Sequence, residues 1–281
     1  MAPAFLAIRG GSGIVGKLFA AILVVITAVS AGVFIARIWW LPPDISLLGV
    51  GIDHQLGETM IASGILFVLA QVVLAAFVWQ SSAGHDRPIR IFPGGATPMV
   101  VIAVLLVGAE VLVLTLVGTK VWGGIFLSPP DPHALHVDVQ AEQFAYYFRY
   151  PGKDGKLGTL HPDLIDDGNG NFFGLDPAND TTARDDIVSA SLVVPVNRPI
   201  LLTLHSKDVG HAFYVPELRL QQDFVPGLAI PLQFTATQVA RKEIVCTQLC
   251  GLGHFNMRAY IEVQPEAEFN KWMDDQAAQL Q

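Results

Sequence analysis

The chain has 281 residues, 52% of them hydrophobic and 15% charged, with a mean hydropathy of +0.46. Soluble domains carry roughly a quarter charged residues, so this composition excludes a wholly soluble enzyme and a disordered chain. The net charge of −8 argues against a nucleic-acid binder, because a polyanion recruits basic partners.

The apolar residues concentrate before about residue 120. Residues 18–36 and 60–78 carry no charge, and residues 99–119 carry only Glu110. Each run approaches the ~20 residues needed to cross a bilayer. Three in succession argue against buried core helices. We expect transmembrane helices at about 18–38, 59–79 and 98–119, in an anchor covering residues 1–128. The first run is longer than a typical signal-peptide core, and Val29-Ser30-Ala31 is a poor cleavage site. It ends on Trp39-Trp40, which suits a membrane interface. It therefore reads as an uncleaved helix.

Orientation follows from the basic residues of the short flanks. Arg9 and Lys17 precede the first run, and Arg87 and Arg90 follow the second. Residues 41–58 hold Asp44, Asp53 and Glu58 but no Lys or Arg. This places the N-terminus, His85 and Arg87 in the cytoplasm, and the first loop and everything after Lys120 outside. Arg37, at the outer end of the first run, runs counter to the pattern. Glu110 lies roughly 18 Å into the third helix at about 1.5 Å per residue. A carboxyl there must face protein or water. It reads either as a proton-path residue or as a protonated Glu bonded to a neighbouring helix.

Residues 121–281 hold 11 Lys and Arg against 20 Asp and Glu, a net of −9. A stretch of that length can bury its own core. Residues 121–133 are rich in Gly, Pro and Ser and read as a linker. The aromatic, alternating stretch 136–150 reads as a strand. Residues 151–187, rich in Gly, Asp, Asn and Pro, read as an insertion. Strands are expected at 191–196, 199–205, 212–215, 229–234, 243–246 and 258–264, then a helix holding Phe269 and Trp272. The pattern predicts an all-β sandwich over 129–265, with the insertion, and a helical tail over 266–281.

The chemistry concentrates in Cys246-Thr-Gln-Leu-Cys250-Gly-Leu-Gly-His254-Phe-Asn-Met257. Thiolate and thioether are soft ligands, and imidazole also suits copper. His211, in Asp208-Val-Gly-His211, supplies another strong donor upstream. One Cys with His and Met would make a mononuclear site; two Cys allow bridging thiolates and two coppers. A Cys246–Cys250 disulfide, a Cys₂His₂ zinc site and a pair of buried free thiols are the alternatives, and the zinc site leaves Met257 unexplained. His133, His136, His161 and His205 read as structural or solvent-exposed.

At these residues the chain resembles subunit II of the haem–copper oxidases, the cytochrome c oxidase type with a CuA centre. The pattern C-x3-C-x3-H-x2-M, preceded some 35 residues earlier by D-V-x-H, carries the resemblance. Val215-Pro216-Glu217, Gln222-Asp223 and Val225-Pro226-Gly227 also match. It covers about 130–265 and implies a cupredoxin-like fold; the membrane part matches only in general character. It further implies that Cys246 and Cys250 bridge two coppers. His211 and His254 would be terminal ligands, Met257 a weak ligand, and Gln248 a backbone-carbonyl ligand.

Three departures stand out. The family usually has Glu between the cysteines, reaching a Mg²⁺ at the boundary with subunit I; the neutral Gln248 stands there, which leaves the magnesium site open. The family usually has Trp where electrons enter; here Phe144 occupies that position, and Phe144 with Tyr146 is the expected point of electron entry, with a donor docking that differs from the family's. The family commonly has two transmembrane helices, with a Glu near the cytoplasmic end of the second, and Glu110 is too deep to match. No C-x-x-C-H occurs, so no covalent haem belongs to the chain.

The resemblance implies the electron-input subunit of a multi-pass inner-membrane oxidase of bacterial type, with its copper domain on the periplasmic side. Its partners would be subunit I, other oxidase subunits, membrane lipid and cytochrome c or a similar carrier. O₂ reduction to water would occur in another chain. A haem–copper nitric oxide reductase and a membrane-anchored copper-binding or copper-delivery protein are the competing readings.

Overall fold

The computed structural model describes residues 13–82 and 97–280. Arg9, His85, Arg87 and Arg90 lie outside the described residues. Three helices, α1 (Gly13–Ile35), α2 (Gly49–Ser81) and α3 (Thr97–Phe126), are long and apolar enough to cross a membrane. α2 starts ahead of its apolar run and holds Asp53 and Glu58 in its first turns. Its 33 residues extend about 50 Å at 1.5 Å per residue, beyond the ~30 Å of a bilayer core. Hydropathy marks the part that suits lipid, whereas helical hydrogen bonding continues past it.

The rest is a two-sheet sandwich, as the turn-punctuated strand pattern predicts. Its strands are β1 (Leu135–Glu142), β2 (Ala145–Tyr150), β3 (Ile187–Ser189), β4 (Leu192–Pro195), β5 (Pro199–Ser206), β6 (His211–Val215), β7 (Leu220–Phe224), β8 (Ile230–Thr235), β9 (Ala240–Val245) and β10 (Arg258–Gln264). One sheet runs β3-β2-β1-β5-β8, the other β4-β10-β9-β6-β7. The pairs β1–β5 and β4–β10 are parallel, and the remaining pairs antiparallel. Val137, Val139, Phe148, Leu202 and Leu204 of the first sheet share one core with Val194, Phe213, Ile244, Ile261 and Val263 of the second. A final helix, α4 (Glu266–Gln279), adds Phe269 and Trp272 to that core.

The stretch 136–150 is not one strand. It folds back at Gln143-Phe144, pairing Glu142 with Ala145. That turn lacks Gly, Asn or Pro, so no local signal marks it. β7 likewise carries no strand pattern; its polar residues Gln221 to Asp223 sit on an edge strand.

The outer face of the first sheet is covered by residues 151–187. Phe172 stacks on Tyr147 with ring centroids 3.6 Å apart, and its carbonyl accepts a hydrogen bond from Gln140 Nε2 at 3.0 Å. Arg149, fully buried on that face, donates to Gly158 O at 2.7 Å and to Asp186 Oδ2 at 2.8 Å, and also pairs with Asp138. Asp138 additionally faces His136 and His205, each at 3.8 Å.

The segment Leu41–Asp53 belongs to the same compact unit as the sandwich. Ile45 and Ser46 are buried there. Ile45 N donates to Glu217 O at 2.9 Å, Leu47 N to Thr235 O at 3.0 Å, and Thr237 N to Ile45 O at 2.7 Å. Ser46 Oγ bonds Leu218 O at 2.9 Å and accepts Gly49 N at 2.8 Å, capping the approach to α2. Arg219 clamps Asp53 through two contacts of 2.7 and 2.9 Å and reaches Pro42 O at 2.7 Å. The loop before α2 thus supplies part of the sandwich core. Ile45→Ala in the full chain is expected to lower the stability of this unit by about 2–4 kcal/mol. Denaturant unfolding followed by Trp fluorescence checks it; an unchanged midpoint would show that the strap contributes nothing.

Candidate metal centre

The loop 246–257 joins β9 to β10 at one end of the sandwich. Strand pairing sets its ends together, with Val245 opposite Arg258 and Cys246 N bonded to Met257 O at 3.3 Å. A 3₁₀ turn over His254–Asn256 bends the chain back, and Met257 N bonds His254 O at 3.2 Å. His211 opens β6 opposite Phe224 and approaches from the neighbouring strand.

All the sequence-predicted ligands come together here. The two sulfurs lie 3.8 Å apart as free thiols, well beyond the ~2.05 Å of a disulfide. Cys246 Sγ is 3.1 Å from Gln248 O. Cys250 Sγ is 3.5 Å from His254 Nδ1 and 3.7 Å from Met257 Sδ. A donor atom from each of His211, Cys246 and Cys250 falls within 4.8 Å of the others. His211, Cys246, Cys250 and Met257 are buried, and His254 is half-buried.

The electrostatics are those of a desolvated thiol pair. Burial, followed by the neighbouring Cys246 sulfur, pushes the Cys250 thiol up to about 11. A metal that replaces its proton removes that penalty. His211 Nε2 lies 2.8 Å from Asp208 Oδ1, while His211 Nδ1 is buried with no hydrogen-bond partner among the described residues. A fully buried imidazole nitrogen left without a partner carries a desolvation cost. A metal ion would relieve it. Two thiols, two imidazoles and a thioether, with no carboxylate among them, fit copper. The exposed Gln248 side chain is an amide, without the charge that suits a magnesium ligand.

Phe144 sits in the β1–β2 turn, 40% exposed, directly against the ligand loop. A Cβ on Gly253 would lie 2.4 Å from Phe144 Cδ2, and one on Gly251, where φ is +136°, 2.6 Å from Gln143 Nε2. Both glycines therefore serve close approach, and Gln143 Nε2 donates to Cys250 O at 2.5 Å. Tyr146, by contrast, is buried behind the sulfurs. Its hydroxyl donates to Ala212 O at 2.6 Å, and its acidity is strongly suppressed by burial and by Cys246. Glu110 is far from this chemistry in sequence and lies on α3, where its Oε1 accepts a 2.8 Å hydrogen bond from Ser63 Oγ of α2. Asp208 and Gln143 take no part in the sequence-based ligand set. The D-V-x-H motif held the signal for the first, whereas the second needs the hairpin to be known.

The family described as cytochrome c oxidase subunit II, periplasmic domain, matches residues 175–264. The alternative cytochrome c oxidase subunit 2 of Bradyrhizobium diazoefficiens is 30% identical over 240 residues, covering 85% of this chain and 84% of the relative. The cytochrome c oxidase subunit 2 of Thermostichus vulcanus is 41% identical over 86 residues, 31% of this chain and 26% of that protein. The crystal structure of the periplasmic domain of subunit II of cytochrome oxidase from Bradyrhizobium japonicum superposes with a TM-score of 0.40 at 23% identity, covering 54% of this chain and 100% of that one. With both its length and its domain matched in this way, the chain belongs to the cytochrome c oxidase subunit II family.

Proposed function

We propose that this chain is the electron-input subunit of a membrane haem–copper oxidase. It takes electrons from an external c-type cytochrome or similar carrier and passes them to subunit I, where O₂ is reduced to water. The observation that carries the reading is the convergence of His211, Cys246, Cys250, His254, Met257 and the Gln248 carbonyl around one sulfur pair. Two coppers bound there supply a one-electron couple. The chain's own residues supply the rest. Cys246 and Cys250 would hold the metal through sulfur, His211 and His254 through their imidazoles, and Met257 and the Gln248 carbonyl as weaker donors. Burial excludes water. The bonds from Cys246 N to Met257 O and from Gln143 Nε2 to Cys250 O hold the cage rigid, so little rearrangement accompanies a change of charge.

The globular unit stands on the periplasmic side of a bacterial inner membrane, held by three spanning helices. Packing of Leu41–Asp53 into the same unit as the sandwich supports a common side for both. Magnesium at the Gln248 position forms no part of the reading, and Glu110 serves as a helix-to-helix contact through Ser63. Copper loading of the full chain in detergent tests the centre. Two coppers per chain and an EPR signal from one electron shared by two nuclei are expected; one copper, or stoichiometric zinc, would overturn it.

Electrons enter at Phe144, the exposed aromatic that touches the Gly251 to Gly253 segment of the ligand loop. The globular part carries −9, which favours a basic carrier. Such steering weakens with salt, because the screening length is ~8 Å at physiological ionic strength. The bimolecular reduction rate should therefore fall steeply with added salt, and Phe144→Ala should slow it without loss of copper. Stopped-flow reduction by a basic c-type cytochrome checks both. A salt-independent rate, or an unimpaired Phe144→Ala variant, would place the docking site elsewhere.

A further inference from the structure

We propose that Asp208 is the positioning residue that decides which nitrogen of His211 faces the thiols, and that its charge tunes the centre. The inference rests on the copper reading above. Asp208 Oδ1 lies 2.8 Å from His211 Nε2. A carboxylate can only accept, so Nε2 carries the proton and Nδ1 keeps its lone pair. That Nδ1 is the buried atom with no hydrogen-bond partner, and His211 is among the three residues whose donor atoms cluster within 4.8 Å. A neutral imidazole free of the carboxylate would also populate the other tautomer, with a proton pointing at the sulfurs.

The carboxylate is itself held from two sides. Val209 N donates to Oδ1 at 2.7 Å, and Gln143 N donates to Oδ2 at 2.8 Å. Gln143 precedes Phe144 in the β1–β2 turn, and its side chain bonds Cys250 O. Asp208 therefore ties together the His211 loop and the Phe144 turn, and Gln143 ties that turn to the cysteine loop. Two backbone donors thus fix its orientation. A carboxylate bonded to the remote nitrogen makes an imidazole a stronger donor, which favours the more oxidised metal.

The test uses the full chain, copper-loaded in detergent, with Asp208→Asn, Asp208→Glu and Asp167→Asn. Asp167 is an exposed carboxylate paired with Lys207 and makes no contact with His211, so its variant controls for loss of surface charge. Asp208→Asn should bind copper about 10–100-fold more weakly. Its reduction potential should rise, and the paramagnetically shifted NMR signals of His211 should move. Asp208→Glu, which retains an acceptor and its charge, should return the potential toward that of the parent. Asp167→Asn should match the parent in affinity, potential and His211 signals. An Asp208→Asn variant indistinguishable from Asp167→Asn would overturn the proposal, as would an Asp208→Glu variant shifted as far as Asp208→Asn. Failure of the parent chain to bind two coppers would instead overturn the copper reading.

Discussion

Replacing Cys246 or Cys250 by Ser is expected to abolish the proposed two-copper centre while leaving the sandwich folded. The sulfurs lie 3.8 Å apart, close enough for both to contact the same pair of ions. Removing either would leave a single thiolate to hold both ions. A serine hydroxyl is a harder donor than thiolate and a poor substitute for copper. The fold should tolerate the change, because a buried hydroxyl with a partner costs little net, and Gln248 O is within reach of position 246. Metal analysis should find fewer than two coppers, and the shared-electron EPR signal and purple colour should be lost. Met257→Leu is the control: it conserves volume, costs less than about 1.5 kcal/mol and should retain both coppers with a shifted potential. Loss of all copper from Met257→Leu would contradict the assignment of the thioether as a weak contact.

Arg149→Met is expected to destabilise the globular unit by about 3–5 kcal/mol at neutral pH, the range for removing one partner from a buried ion pair. Arg149 neutralises Asp138 and Asp186 together, and all three side chains are buried. Burial already raises the Asp186 carboxyl from its usual 3.8 to about 6, against the pull of Gly158 N–H and Arg149. A group whose folded value is raised contributes stability that is present below the unfolded value and lost as pH rises through the folded one. In the parent that loss falls between about pH 4 and 6. Asp138 acts in the opposite sense. Burial raises it, but His205 and Arg149 outweigh burial and hold it below its usual value, so its contribution is lost as pH falls. Without Arg149 both carboxyls move up. The deficit should therefore be small near pH 4.5, where they protonate, and full at pH 7.5. Denaturant unfolding at the two pH values measures it. A deficit under about 1 kcal/mol at both would mean that water enters the network. The copper spectrum should survive, because every sequence-predicted copper ligand lies on the second sheet or in its β9–β10 loop.

What could be read directly from the amino acids was whatever depends on neighbours along the chain. The three apolar helices were legible because lipid selects for composition, and composition needs no partner. Five of the six proposed copper ligands were legible because they stand within twelve residues, so a single tight loop between β9 and β10 must bring them close. His211 came from a short motif some 35 residues upstream. The rest was decided by contacts between distant segments. The alternation of residues 136–150 looks the same in one strand or two, and only pairing Glu142 with Ala145 puts Phe144 at the tip. Tyr146 is aromatic like Phe144, yet it lies inside β2 on the core-facing side beside the sulfurs, whereas Phe144 lies in the turn outside the ladder. Arg149 would ordinarily be placed in solvent; the 151–187 segment folds over it and supplies Asp186 and the Gly158 carbonyl. The loop before α2 carries no pattern of a core segment, but Ile45 and Ser46 enter the sandwich because the β6–β7 turn and the end of β8 offer it unpaired backbone groups. Asp208 is the clearest case: its spacing from His211 is local, but its hold on Gln143 crosses 65 residues, and only the folded chain joins the two.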